Sequence, residues 1–200
     1  WVPVSPDLTT DPGSDRQGNV PYGTLTSVAE SPLDSALLWT GSDDGRVHVT
    51  TDGGMTWSDV TGDFRDLWVS RVVASRHERE RAYVSLTGYR EDDTSAYVFV
   101  TDDLGATWRS LAGGLPAESV NVIDEDPVRP DLLFVGTDLG VYVSLDRGAA
   151  WLSIVGELPT TPVYDLVVHP RVGELVIGSH GRGAFVMDIL PLRALTEEVV

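Results

Sequence analysis

Two pairs of adjacent aspartates, Asp43-Asp44 and Asp92-Asp93, are the residues of this chain best suited to chemistry. Two carboxyl groups about 5 to 9 Å apart, one with a raised pKa, are the equipment for hydrolysing a glycosidic bond. Asp-rich turns need no such reason, because a short carboxylate caps the amides of its own turn. Around these pairs lie Tyr89 and Arg90, and further along His180 and Arg182 in Gly178-Ser179-His180-Gly181-Arg182-Gly183. The glycines flanking Arg182 allow a sharp turn that aims a guanidinium at a bound carboxylate or ties neighbouring elements to Asp138 or Asp165. The other histidines, His48, His77 and His169, stand alone, and no loop has alternating D-x-D-x-D-G spacing, so neither zinc nor calcium is expected. With no cysteine there is no thiolate site, and no cofactor is expected.

The elements that position these residues follow from a repeat. Thr50-Thr51-Asp52-Gly53-Gly54-Met55-Thr56-Trp57, Thr101-Asp102-Asp103-Leu104-Gly105-Ala106-Thr107-Trp108 and Ser144-Leu145-Asp146-Arg147-Gly148-Ala149-Ala150-Trp151 all fit [S/T]-x-D-x-G-x-[T/A]-W. Their aspartates are 51 and 43 residues apart. Between them run apolar, β-branched and aromatic stretches of period two, such as Ala82-Tyr83-Val84-Ser85-Leu86 and Leu132-Leu133-Phe134-Val135, which read as strands. No segment of ten or more residues carries a helical stripe. Four strands per unit of this length predict an all-β fold, a segment of a β-propeller with about four antiparallel blades. Each repeated turn should lie in the hairpin between the third and fourth strands, its Trp packed between blades, as a structural element.

The expected organisation is an outer strand of a preceding blade over 1–10, a linker over 11–21, and blades over 22–62, 63–115 and 116–158. An incomplete fourth blade over 159–193 has no Trp-bearing turn, and a tail follows over 194–200. Trp1 to Val4 is an orphan strand. It would either pair with Ala184 to Ile189, closing a four-bladed ring and covering an open edge, or leave that edge to another chain. Upstream blades or self-association are therefore the expected protein partners. Trp1 begins without an initiator Met or a signal-peptide pattern, so the chain reads as a piece of something longer.

Composition excludes other classes. The chain has 31 acidic residues against 14 basic ones, all arginine, for a formal charge of −17, and such a surface repels phosphates. No apolar run is long enough to cross a bilayer.

At its repeated turns the chain resembles the Asp-box, or BNR, repeat of bacterial sialidases, xyloglucan-type hydrolases and sortilin-like propellers. The structural set is Asp52, Gly54, Trp57, Asp103, Gly105, Trp108, Asp146, Gly148 and Trp151. The flanks, including Trp1-Val2-Pro3-Val4-Ser5-Pro6 and Gly178-Ser179-His180-Gly181-Arg182-Gly183, are similar to the C-terminal part of secreted bacterial proteins labelled "glycosyl hydrolase, BNR repeat" or sortilin-like. In that comparison Trp1 is the tryptophan of an earlier box. The resemblance implies a secreted or periplasmic location. It also implies a non-catalytic scaffold that binds carbohydrate or protein through inter-strand loops at Tyr89, Arg90, His180 and Arg182. The alternative it implies is a glycoside hydrolase fragment using Asp43 or Asp44 with Asp92 or Asp93. A sialidase-type site would need Arg46, Arg90 and Arg182 to converge beside Tyr89, and the arginine motif of those enzymes is not recognisable.

Overall fold

The computed structural model describes residues 1–11, 22–154, 156, 158–181 and 183–195. Among these residues fifteen strands form four antiparallel sheets in chain order. The first holds β1 (Leu25–Ser31), β2 (Asp34–Ser42), β3 (Val47–Thr50) and β4 (Ser58–Asp59). The second holds β5 (Trp68–Ala74), β6 (Ala82–Gly88), β7 (Asp93–Thr101) and β8 (Arg109–Ser110). The third holds β9 (Val120–Glu125), β10 (Leu133–Thr137), β11 (Val141–Ser144) and β12 (Leu152–Ile154). The fourth has three strands, β13 (Val163–Val168), β14 (Glu174–Ser179) and β15 (Ala184–Asp188), followed by the short helix α1 (Leu190–Ala194). This is a propeller segment whose blades meet face to face.

The period of two is what stacks the blades. Successive strand residues point to opposite faces, so one strand serves two seams. Along β6, Ala82, Val84 and Leu86 join the core shared with Leu37, Trp39 and Val47 of the first blade. Tyr83 between them faces the third blade and packs with Val120, Ile123 and Trp151. Just ahead of and along β10, Leu132 and Phe134 face the fourth blade while Leu133 and Val135 face the second.

Each repeated turn lies between the third and fourth strands of its blade and shares one pattern of hydrogen bonds, of which the third turn lacks a single hydroxyl because Ala150 replaces threonine. In the first, Thr50 Oγ1 donates to Asp52 Oδ1 (2.7 Å), and Asp52 accepts from the Thr56 amide (2.9 Å) and the Thr56 hydroxyl (2.6 Å). Asp103 repeats this with Thr101 and Thr107, and Asp146 with Ser144 and the Ala150 amide. The turn then clasps the preceding blade. Trp108 Nε1 donates to the Val60 carbonyl (2.8 Å) and Trp151 Nε1 to the Leu111 carbonyl (2.8 Å). Gly105 and Gly148, both at positive φ, lie so close to those same residues that a Cβ would sit 2.6 Å from Val60 Cβ and 2.9 Å from Leu111 Cδ2. Glycine is needed there for both its backbone angle and its bareness.

The hydroxyl and amide of Thr56 and the hydroxyl of Thr50 hold the Asp52 carboxyl down to about 2, and the corresponding groups hold Asp103 below its ordinary value. A depressed folded-state pKa stabilises the protein above the unfolded value of about 3.9, and that contribution is lost as pH falls toward the folded value. Thr56→Ala should therefore cost stability mainly above about pH 4, with the gap to the parent closing as pH falls toward about 2. Urea denaturation across that range checks this; a gap independent of pH would refute it.

The orphan strand goes elsewhere than expected. Instead of pairing with β15, residues 1–4 approach the first blade, where the Val4 carbonyl accepts from Trp57 Nε1 (2.9 Å). A Cβ on Gly54 would lie 2.4 Å from the same oxygen. Val4 thus takes the place that Val60 and Leu111 take at the other two turns, three residues after a Trp in each case. The clasp on blade one satisfies Val4, and among the described residues β15 pairs only with β14. The closed four-bladed alternative is thereby overturned.

The fourth blade keeps a remnant of the turn. The amides of Gly53, Leu104 and Arg147, each following a turn aspartate, bond to Ala36, Glu80 and Asp131, and Ile189 after Asp188 bonds likewise to Gly173 (2.9 Å). Asp188 therefore stands where a turn aspartate would, with Leu190 in place of the glycine and Arg193 in place of the tryptophan. Leu190 lacks the required freedom at that position, and the chain coils into α1 instead. Arg193 Nε reaches back to Asp126 of the third blade (2.9 Å), and Arg129 donates to the carbonyls of Leu192, Arg193 and Leu195 at the helix end.

Candidate binding cleft

The four innermost strands, β1, β5, β9 and β13, each break register once near their first residues. The irregularities lie between Leu25 and Ser27, between Val69 and Arg71, across from Gly136–Thr137 at Val120–Val122, and between Val163 and Asp165. The residues left out of pairing are Thr26, Ser70, Asn121 and Tyr164. A bulge re-aims the side chain it carries, and all four line one cleft. Thr26 Oγ1 and Ser70 Oγ also donate to the next blade, to the Val69 carbonyl (2.6 Å) and the Val120 carbonyl (2.9 Å).

The cleft has a volume of about 530 Å³, and its remaining wall is Trp68, Thr87, Tyr89, Asp138 and His180. The hairpins joining second to third strands supply Tyr89, Asp138 and His180, with Tyr89 heading a 3-10 turn over Tyr89–Glu91. The amides of Asp138 and His180 bond to the entry of the inner strand beside them, at the Ser119 and Pro162 carbonyls. The Tyr164 and His180 rings lie 4.9 Å apart. Asn121 Nδ2 donates to Asp138 Oδ1 (2.9 Å). Burial, then the charge of Asp138 and the neighbouring Tyr89 phenol, hold the Tyr164 hydroxyl above its ordinary pKa. Below, Arg71 Nη2 reaches Asp165 (2.5 Å) across the inner strands, in a second hollow on the far side.

No family model matches this chain, and no curated protein does. Solved structures do: a GH74 xyloglucanase from Xanthomonas campestris, at 15% identity over 81% of this chain with a TM-score of 0.63. The fold is that of the GH74 propellers. A GH74 enzyme from Niastella koreensis matches at 13% identity over 82% with a TM-score of 0.65, and an ancestral GH74 enzyme at 18% over 81% with a TM-score of 0.62. The chain spans 28% of the length of the first two proteins and 22% of the third.

The residues singled out from sequence divide sharply. Tyr89 and His180 line the cleft. Arg90 supports it from behind, with its guanidinium 4.3 Å from the Trp68 ring centre and Nη1 3.3 Å from Asp43 Oδ2. Arg182 lies outside the described residues, as do linker residues 12–21 and tail residues 196–200.

Three of the four paired aspartates, Asp43, Asp44 and Asp93, are engaged by hydrogen bonds within the fold. Asp43 is buried, taking the amides of Gly23 (2.8 Å) and Thr24 (2.7 Å). Asp44, also buried, takes the amide and hydroxyl of Thr10 (2.6 Å each) and the Ser42 hydroxyl. Although burial opposes it, these hydrogen bonds hold Asp44 below its ordinary pKa. Asp93 accepts from the Ser95 amide, Tyr97 and Arg65 and is held down to about 2, while Asp92 is an exposed left-handed turn residue. A general acid needs the opposite shift.

Trp68, Tyr164, Thr26, Ser70 and Asn121 were missed because attention to hairpins leaves out inner strands. Thr26, Ser70, Asn121 and Tyr164 each follow a Leu or Val near the head of a strand, a pattern that does not by itself mark a bulge, and Trp68 precedes Val69.

Proposed function

We propose that this chain is a carbohydrate-binding segment of an Asp-box propeller, and that a sugar chain lies in the cleft between Trp68, Tyr89 and Tyr164. The observation that carries the reading is the convergence of these three rings with Asn121, Asp138, Ser70 and Thr26 in one hollow of about 530 Å³. Apolar faces with a few directed polar groups are the general make-up of a small-ligand site. Sugars present alternating C–H faces and hydroxyls that match it. The reading places the protein outside the cytoplasm, where polysaccharide is met, and makes the repeated turns Asp-box clasps.

Binding is preferred over hydrolysis for a specific reason. Asp138 is the only carboxylate among the described lining residues, and inverting or retaining hydrolysis employs two. Since one structural neighbour is a xyloglucanase, xyloglucan oligosaccharides and cellotetraose are the first probes. Titration calorimetry should show binding that Trp68→Ala and Tyr164→Ala each weaken by roughly tenfold or more, the scale of losing an aromatic anchor. Incubation should release no new reducing ends. Failure of every glycan to bind, or unchanged affinity in both variants, would overturn the reading; turnover would favour the hydrolase.

A further inference from the structure

The charge pattern of the cleft is lopsided. Asp138 projects into it, and no arginine is among the described lining residues. Arg90 behind the wall is engaged by Asp43 and the Trp68 face, and Arg71 beneath is engaged by Asp165. Only Asp138 Oδ1 has a side-chain partner, Asn121 Nδ2, so among the described residues Oδ2 accepts no hydrogen bond. A ligand carboxylate entering here meets the like charge of Asp138, with His180 as the only basic side chain among the described lining residues, which disfavours uronic and sialic acids. An ammonium meets the reverse: a carboxylate whose Oδ2 takes no hydrogen bond from the described residues, and the electron-rich faces of Trp68, Tyr89 and Tyr164, the arrangement that attracts organic cations. Three N–H donors on one centre suit a single carboxylate oxygen with neighbouring hydroxyls.

We infer that the cleft selects amino sugars carrying a free, protonated amine, β-linked glucosamine oligomers being the chemical class, with Asp138 as the residue that sets this preference. The inference rests on the carbohydrate-binding reading and adds the ligand's charge to it.

Three tetramers of similar shape test it by calorimetry at about pH 6, where an amine of ordinary pKa is charged: glucosamine, N-acetylglucosamine and cellotetraose. The glucosamine tetramer should bind about tenfold tighter than the other two, the scale of one charge-assisted contact. Because the whole chain is acidic, the control is a second charge removal: Asp63→Asn, an exposed aspartate outside the cleft, should keep the ratio. Asp138→Asn, which can still accept from Asn121, should bring the ratio close to one. Equal affinity for all three tetramers, or a preference that survives Asp138→Asn, overturns the inference and leaves the carbohydrate reading standing. Binding of none overturns both.

Discussion

Trp151→Ala should lower the stability of this protein by about 3 to 5 kcal/mol, the usual cost of emptying a large buried aromatic site. Trp151 is 8% exposed and packs with Tyr83, Leu111 and Leu133 at the seam of the second and third blades. Its indole also holds the Leu111 carbonyl, which the substitution strands. For a chain of this size the loss corresponds to a melting temperature lower by roughly 10 °C. Trp151→Phe, which keeps much of the volume and loses the hydrogen bond, should cost about 1 to 3 kcal/mol. Trp57→Ala should cost distinctly less than Trp151→Ala, because Trp57 is only half-buried and clasps the N-terminal segment at Val4 instead of a full blade. Equal losses at positions 57 and 151 would sink the view that the tryptophan works by joining blades.

Glu125→Ala is expected to be comparably damaging, by about 3 kcal/mol or more, since it orphans several buried donors at once. The Glu125 side chain is fully buried and takes the Ser75 hydroxyl (2.9 and 3.0 Å), the Arg76 amide (2.6 Å) and the Tyr83 hydroxyl (2.9 Å). Arg76 Nη1 closes the set on Asp124 Oδ1 (2.7 Å), whose other oxygen accepts the Val168 amide (3.0 Å), so the network stitches the second, third and fourth blades. Burial first, then the nearby carboxylate, keeps the Tyr83 phenol far above its ordinary pKa and therefore a donor throughout the accessible range. Glu125→Gln should recover part of the loss. A chemical-denaturation midpoint for Glu125→Ala within about 1 kcal/mol of the parent would show that the donors find other partners, contrary to expectation.

What was legible beforehand was whatever repeats. Alternation along Ala82 to Leu86 and Leu132 to Val135 marks strands because both faces of a blade are buried, and that demand writes itself into every other residue. The turns at Asp52, Asp103 and Asp146 were readable because one backbone geometry requires the same Thr or Ser, Asp, Gly and Trp each time. The remnant at Asp188 escaped notice because its landmarks, the glycine and the tryptophan, have become Leu190 and Arg193; only the amide bond from Ile189 to Gly173 discloses the equivalence. The position of Trp1 to Val4 was misjudged for a related reason. An open strand edge on β15 is a strong attractor in the abstract, but Gly54 and Trp57 offer Val4 a specific socket. For the cleft, Tyr89 and His180 were found on loops, whereas the inner-strand residues depend on bulges. A bulge is a register event between two strands, and a single strand's sequence does not carry it.

The recurrence of that bulge has a bearing on how such a protein changes over generations. Sheet hydrogen bonding skips Thr26, Ser70, Asn121 and Tyr164, so a new side chain at any of the four alters the chemistry of the hollow while the pairing of the blade stays as it was. Four neighbouring positions, each released from the duties of the ladder and each delivered to the same place, amount to an interchangeable panel mounted on a constant frame. Thr26 and Ser70 also bond across to the Val69 and Val120 carbonyls, so a trade at Asn121 or Tyr164 changes the hollow at less cost to the seams than a trade at the other two.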